Sequence, residues 1–249
     1  MARITRADYE TVSLTCDHCG KECVFNRRED FAHVGPYAGE DVDCPNCLRR
    51  FRLIGDTINE PYELFLFAAR ECFSGKRYMQ AVASMAQAWE MFFAAFASTR
   101  YLYQPFFSTS ERQRDLDRLN ALRAQMDHEL RRFTFWSLRN LLINTVVRAV
   151  APKTLDEAAA AIDEIGSSGI GNDPPSSVLT SLVDDETQEI LKNLQTLTIG
   201  QLRNRVLHRL AYRPLRTEVE HCLEDGVLLY RAKHVLRVRS FDELACGIG

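Results

Sequence analysis

Leu202-Arg203-Asn204-Arg205-Val206-Leu207-His208-Arg209-Leu210-Ala211-Tyr212 reads as one helix with an apolar stripe and a chemical face. Leu202, Val206 and Leu210 recur every four residues and form the stripe that turns inward. Asn204 lies two residues beyond Leu202, about 200° round an ideal helix, and His208 follows it at i+4, so both face away from the core. Arg203 is roughly 140° from His208, within reach of a long guanidinium stem. The stretch therefore offers a cation, an amide and a titratable imidazole together.

Working outward, Thr198-Ile-Gly-Gln201 predicts a capping box that opens this helix. It would place Arg203 and Asn204 in the first turns, where free backbone N–H groups and the helix dipole favour a phosphate. Pro214 ends the helix, and Thr217-Glu-Val-Glu220 opens a last one with Val219, Leu223 and Tyr230 available for packing. Asp184 to Leu197 is a further helix. Gly166 to Ser177 has the Gly, Ser, Asn and Pro content of a flexible loop, and Thr154-Leu-Asp-Glu157 caps a short Ala-rich helix that runs out at Gly166. Phe133 to Val150 is apolar enough to need burial, in a bundle or against a second subunit.

Ser108-Thr-Ser-Glu111 predicts the cap of a charged helix with Leu116, Leu119, Met126 and Leu130 inward. Tyr78, Val82, Met85, Trp89, Phe92 and Phe96 follow spacings of 4, 3, 4, 3 and 4, a packing stripe. On the same helix Ala83, Ala86, Glu90, Ala94 and Ala97 form a stripe of small residues. Close helix approach there would leave Glu90 partly buried and in need of a partner, for which an arginine is the natural choice. Tyr62 to Phe73 is apolar and aromatic, and Gly75 ends it. The expected fold is mainly α, with a helical bundle over 60–249, a loop at 166–177, and a small separate domain over 1–59. No internal repeat, P-loop, GxGxxG or HExxH is present.

That small domain carries the most specific local signal. Cys16-Asp-His-Cys19 and Cys44-Pro-Asn-Cys47 are two Cys-x2-Cys pairs separated by 24 residues, the spacing of two knuckles that close on one tetrahedral Zn2+. Four thiolates satisfy zinc and leave no open position, so the expected metal is structural. His18, His33 and Cys23 could substitute, but none repeats the pair. Val12-Ser-Leu14 and Phe51-Arg-Leu53 alternate as short strands would, which predicts a zinc ribbon. Asn26 to Asp43, with Gly35-Pro36 and Gly39, reads as an exposed loop.

Formal net charge is −3 over 249 residues, which argues against a generally sticky nucleic-acid binder. The distribution is less neutral. Residues 201–239 hold nine Lys or Arg against four acids, a local charge of +5. The ribbon, with eight basic and ten acidic residues over 1–59, is a poor unaided phosphate binder. No run approaches the ~20 apolar residues needed to span a bilayer, and Met1-Ala-Arg-Ile-Thr-Arg lacks the apolar core of a signal peptide. The expectation is a soluble, cytoplasmic protein with no membrane partner.

Arg-Asn-x-x-x-His on a late helix of an all-helical domain resembles the HEPN family, whose ribonucleases carry an Arg-x4-6-His signature. Arg28/His33, Arg123/His128 and Arg216/His221 share the spacing, as does Arg27/His33 with one residue more. Only Arg203 is followed by a polar Asn and then by apolar Val206 and Leu207. Arg139-Asn140-Leu-Leu-Ile-Asn144 copies the local form but ends in an Asn, which cannot exchange a proton near neutral pH. The resemblance, over roughly 60–235, implies metal-independent cleavage of RNA by 2′-OH attack, leaving 2′,3′-cyclic phosphate and 5′-OH ends. It implies Arg203 and His208 as catalytic groups with Asn204 orienting, and Glu90 as an acidic residue beside them. It also implies a homodimer with a shared cleft, which would supply the second His that a single chain lacks. Many members are toxins or phage-defence effectors that cut tRNA or mRNA, so an antitoxin or regulatory protein is a further expected partner. The alternatives are a non-catalytic RNA- or protein-binding module of the same build, and a zinc-ribbon nucleic-acid-binding regulator.

Overall fold

The computed structural model describes residues 11–16, 18–26, 40–53, 60–110, 115–149, 151–168, 184–208, 212–241 and 244. Two antiparallel hairpins come first. β1 (Thr11–Thr15) pairs with β2 (Glu22–Asn26), and β3 (Glu40–Asp43) pairs with β4 (Arg50–Leu53). Their turns are the two Cys-x2-Cys segments. In each, the residue after the second cysteine takes a left-handed backbone, Gly20 at φ 67° and Leu48 at φ 59°. The same hydrogen bonds then close both turns: Gly20 N–H donates to Cys16 O (2.8 Å) and Leu48 N–H to Cys44 O (2.9 Å). Cys16 N–H donates to Lys21 O (2.9 Å) and Cys44 N–H to Arg49 O (3.0 Å). A repeat with an offset of 28 residues is therefore present in space, although the sequence reading finds none. Only the cysteines survive as identical residues, and two short copies are too few to make a period visible. Phe25, Val42 and Phe51 join the cysteines in a small core distinct from that of the helices.

The remainder is mainly helical. Among the described residues α1 is Pro61–Ser74, α2 Tyr78–Ser98, α3 Gln104–Ser108, α4 Leu116–Leu130, α5 Phe135–Val147, α6 Leu155–Ser168, α7 Asp185–Gln195, α8 Ile199–His208 and α9 Arg216–Val235. The expected stripe puts α2 at the centre. Val82, Met85, Trp89, Phe92 and Phe96 are buried, and α1, α5, α8 and α9 all pack on this helix. Edge-to-face rings fill the junctions, with Tyr62 against Phe92 (5.5 Å) and Phe93 against Phe135 (5.6 Å). Burial of each such ring stabilises by about 1.5–3 kcal/mol. α5 is buried within the chain itself through Phe135, Leu138, Leu141, Leu142 and Ile143, so this apolar segment needs no second subunit.

Several helix starts differ from the expectation. Ser108 ends α3, its hydroxyl donating to Gln104 O, and α4 is capped instead by Asp115, which accepts from Arg118 N–H at 2.9 Å. Glu111 lies outside the described residues. Leu116 is the first residue of α4 and 58% exposed, one turn before the inward stripe of Leu119, Met126 and Leu130 begins. Thr154 does cap α6 by accepting Glu157 N–H (3.2 Å), but Glu157 reaches back to Lys153 N–H (2.7 Å), and α6 continues through Gly166 to Ser168. The rest of the expected 166–177 loop is outside the described residues, as is His33. Thr217 caps nothing, because α9 begins at Arg216 and Glu218 accepts Leu215 N–H at 2.8 Å. Leu223 is half-buried and Tyr230 is 37% exposed.

Candidate functional site

The four cysteines meet. The Sγ atoms of Cys16, Cys19, Cys44 and Cys47 all lie within 4.8 Å of one another, with Cys16 to Cys47 at 3.8 Å and Cys19 to Cys44 at 3.7 Å. A tetrahedron built on metal–sulfur bonds of about 2.3 Å has edges of about 3.8 Å, so the cluster has the size a metal ion requires. Backbone N–H groups turn towards the sulfurs, His18 to Cys16 (3.4 Å), and Asn46 and Cys47 to Cys44 (3.3 and 3.4 Å). Burial works to raise the Cys44 thiol, but the N–H groups of Cys47 and Asn46, together with the Cys23 and Cys47 side chains, hold the thiol down to about 6. The donors are all soft and all from one hairpin pair, as a closed site wants.

The second constellation is carried by α8. Ile199, Leu202 and Val206 are buried against the α2 side of the bundle, which turns Arg203 and Asn204 outward. Arg203 is three-quarters buried, and its Nη2 donates to Glu90 Oε1 of α2 at 3.0 Å. Glu90 is mostly buried and has an arginine partner, although Ala83 of the small-residue stripe is exposed and Ala94 lines an open cleft. Burial pushes the Glu90 carboxyl up and the Arg203 charge opposes it. The pair lines an open cleft of about 660 Å3, whose other polar residues include Gln87 on α2 and Arg123, Asp127 and Arg131 on the α4 side. Asn204 is exposed on α8. His208 is the last residue of α8, and its side chain lies outside the described part of the structure, as do residues 209–211.

Two features of α8 were not legible in sequence. The helix does not reach Tyr212. That residue is non-helical, and its hydroxyl sits 2.5 and 2.6 Å from the Glu218 carboxylate oxygens. Arg205 pairs with the same carboxylate (2.9 Å) and lies over the Tyr212 ring (4.9 Å). These contacts, added to Leu215 N–H, draw the chain out of helix before Pro214 and hold the Glu218 carboxyl below the usual range. The other end of α8 is not an open anion site. The Thr198 hydroxyl donates to Asp225 Oδ2 of α9 (3.1 Å), and Ile199 N–H donates to the same oxygen (3.3 Å), so the first helical N–H is capped by Asp225. A carboxylate already occupies the start of the helix. Burial pushes the Asp225 carboxyl up, against those two hydrogen bonds.

Gly200 is also set by packing, since a Cβ there would come within 2.5 Å of the Trp136 ring. The decoy at 139–144 proves structural: Arg139 is 6% exposed, stacks over Trp136 (4.6 Å) and donates to Asn140 Oδ1 (2.9 Å) and Gln195 O (3.2 Å). The second decoy is a surface feature, with Arg216 paired to Glu220 (2.8 Å) and His221 to Glu224 (3.1 Å), all on one exposed face.

No protein-family model, curated protein or solved structure matches the chain. Fold and sites together define a mainly helical protein with a four-cysteine cluster able to hold a metal ion. Among the described residues no helix is long and apolar enough to cross a membrane.

Proposed function

We propose that the chain is a cytoplasmic endoribonuclease of HEPN type that cuts RNA without a catalytic metal, and that the cysteine cluster is a structural zinc ribbon. The observation that carries the nuclease reading is the Arg203–Glu90 pair, which holds a guanidinium at the edge of an open cleft on the helix that also bears Asn204 and His208. In this reading the RNA 2′-oxygen bonds to phosphorus as the bond to the 5′-oxygen breaks. One imidazole takes the 2′ proton and another gives a proton to the departing 5′-oxygen. Arg203 stabilises the charge that develops on the phosphorane, and Asn204 orients the phosphate or the imidazole. A homodimer that brings two α8 helices together supplies both imidazoles from two copies of His208. Zinc fits the cluster because four thiolates at tetrahedral spacing complete its coordination.

The same ion pair favours one competing reading. An Arg203 already neutralised by Glu90 suits a binding module in which the pair closes a structural network. The experiment that separates the two is RNA cleavage by the purified chain in excess EDTA. The expected products carry 2′,3′-cyclic phosphate and 5′-OH ends. His208→Ala should lose about 10²- to 10⁴-fold in rate and Arg203→Ala about 10²- to 10³-fold. Arg216→Ala and His221→Ala should remain active. Cleavage that needs Mg2+, or that persists in the 203 and 208 variants, would leave the binding module as the better reading.

A further inference from the structure

The two hairpins share the hydrogen bonds of their turns, and they differ at a buried position. With the offset of 28, Cys16 corresponds to Cys44, His18 to Asn46 and Glu22 to Arg50. Each knuckle reaches across to the opposite hairpin in the same way: His18 Nε2 lies 3.3 Å from Arg50 O, and Asn46 Nδ2 donates to Glu22 O at 3.3 Å. Phe51, in the second hairpin, is a core aromatic. Its counterpart is Cys23, which is 1% exposed and whose Sγ lies 3.5 Å from Cys44 Sγ. That separation is close to a tetrathiolate edge, so Cys23 stands one sulfur contact outside the set of four. Asn46 holds it there, since its amide ties the second knuckle to β2 and also lies 3.9 Å from Cys23 Sγ. A buried thiol fills less of this core than the aromatic ring its twin position carries, and the sulfur it lies against is that of Cys44.

We infer that Cys23 is a fifth, exchangeable ligand of the metal site, so that a soft divalent cation such as Zn2+ has two four-thiolate states sharing Cys16, Cys19 and Cys47. In the exchange the metal–sulfur bond to Cys44 breaks and one to Cys23 forms. The Cys23 thiol proton passes to the departing Cys44 thiolate, so neither the coordination number nor the charge of the site changes. The fifth thiol gives the ion an associative way to change partners without ever losing a ligand.

The inference rests on the reading of the cluster as a metal site, and the test separates the two. Co2+ is titrated into the metal-free full chain, and the sulfur-to-cobalt charge-transfer absorbance, which grows with the number of bound thiolates, is read for wild type, Cys23→Ser, Cys44→Ser and the double variant. Cys23→Ser should match wild type. Cys44→Ser should still bind one Co2+ with a wild-type, four-thiolate intensity, and only the double variant should fall by about a quarter. A Cys44→Ser spectrum equal to that of the double variant, or no cobalt uptake by Cys44→Ser, overturns the exchange while leaving a plain four-cysteine site. No uptake by wild type overturns the metal site and the exchange with it.

Discussion

Leu48 shows how much one side chain can be asked to tolerate. It occupies the left-handed position that Gly20 fills in the other knuckle, at φ 59°, while 80% of its surface stays in water. A non-glycine residue there costs about 1–2 kcal/mol, and little burial offsets it. Leu48→Gly should therefore raise stability by up to about 1 kcal/mol, read as a higher unfolding midpoint of the metal-loaded protein. Arg203 and Glu90 pose the opposite case, in which two charges depend on each other. Arg203→Ala removes the charge that lowers the mostly buried Glu90 carboxyl, so its pKa rises further. A carboxyl with a raised folded-state pKa binds more protons folded than unfolded, so its stabilising effect is greatest in acid and disappears as pH rises through the folded-state value. The variant should be destabilised by about 1–3 kcal/mol at pH 7.5, recover towards pH 5, and recover at pH 7.5 when Glu90→Gln is added. Thermal melts of the single and double variants at the two pH values check this. A fall in stability on Arg203→Ala also means that lost cleavage must be scored on protein shown to be folded.

At the scale of elements, α8 is fixed at both ends by residues of α9. Glu218 gathers Tyr212, Leu215 N–H and Arg205, and its carboxyl is held low. A lowered folded-state pKa stabilises above the unfolded value and is lost as pH falls through the folded one. Glu218→Gln should thus cost about 1–3 kcal/mol at neutral pH, and the gap from wild type should close in acid below the ordinary carboxylate range, as followed by denaturant melts. Gly200→Ala should cost about 1–3 kcal/mol in the same assay, because a Cβ would meet the half-buried Trp136 ring and the buried Phe135 ring at under 3 Å, and both would have to shift. These dependences explain which parts of the site were legible. The face of α8 could be read because helical spacing is local, and Glu90 could be read because alanines around it imply close approach. Asp225 could not, because the carboxylate that takes the place of Thr198 arrives from 27 residues further on, and no spacing rule reaches that far.

For the whole molecule, the aromatic stripe of α2 was enough to give the mainly helical class, and the paired cysteines were enough to give the cluster. What sequence could not show is that α5 finds its burial inside the chain, which leaves the outward face of α8 as the remaining motive for the proposed dimer. Light scattering at micromolar concentration should return a dimer, and a monomer would remove the shared site. Metal removal should act on one part only. The hairpins and the helices keep separate cores, so stripping the metal should unfold the two hairpins while helical circular dichroism is largely retained. The twin hairpins have a consequence for affinity as well. Each is a local structure with its own turn, and a metal held by the four cysteines would join them, with Asn26 ending one hairpin and Glu40 starting the other. The cost of closing such a connection grows only as the logarithm of its length, about 0.6 kcal/mol for each doubling. Doubling the number of residues between the two hairpins should therefore lower metal affinity less than threefold, which a metal titration of the lengthened chain would measure.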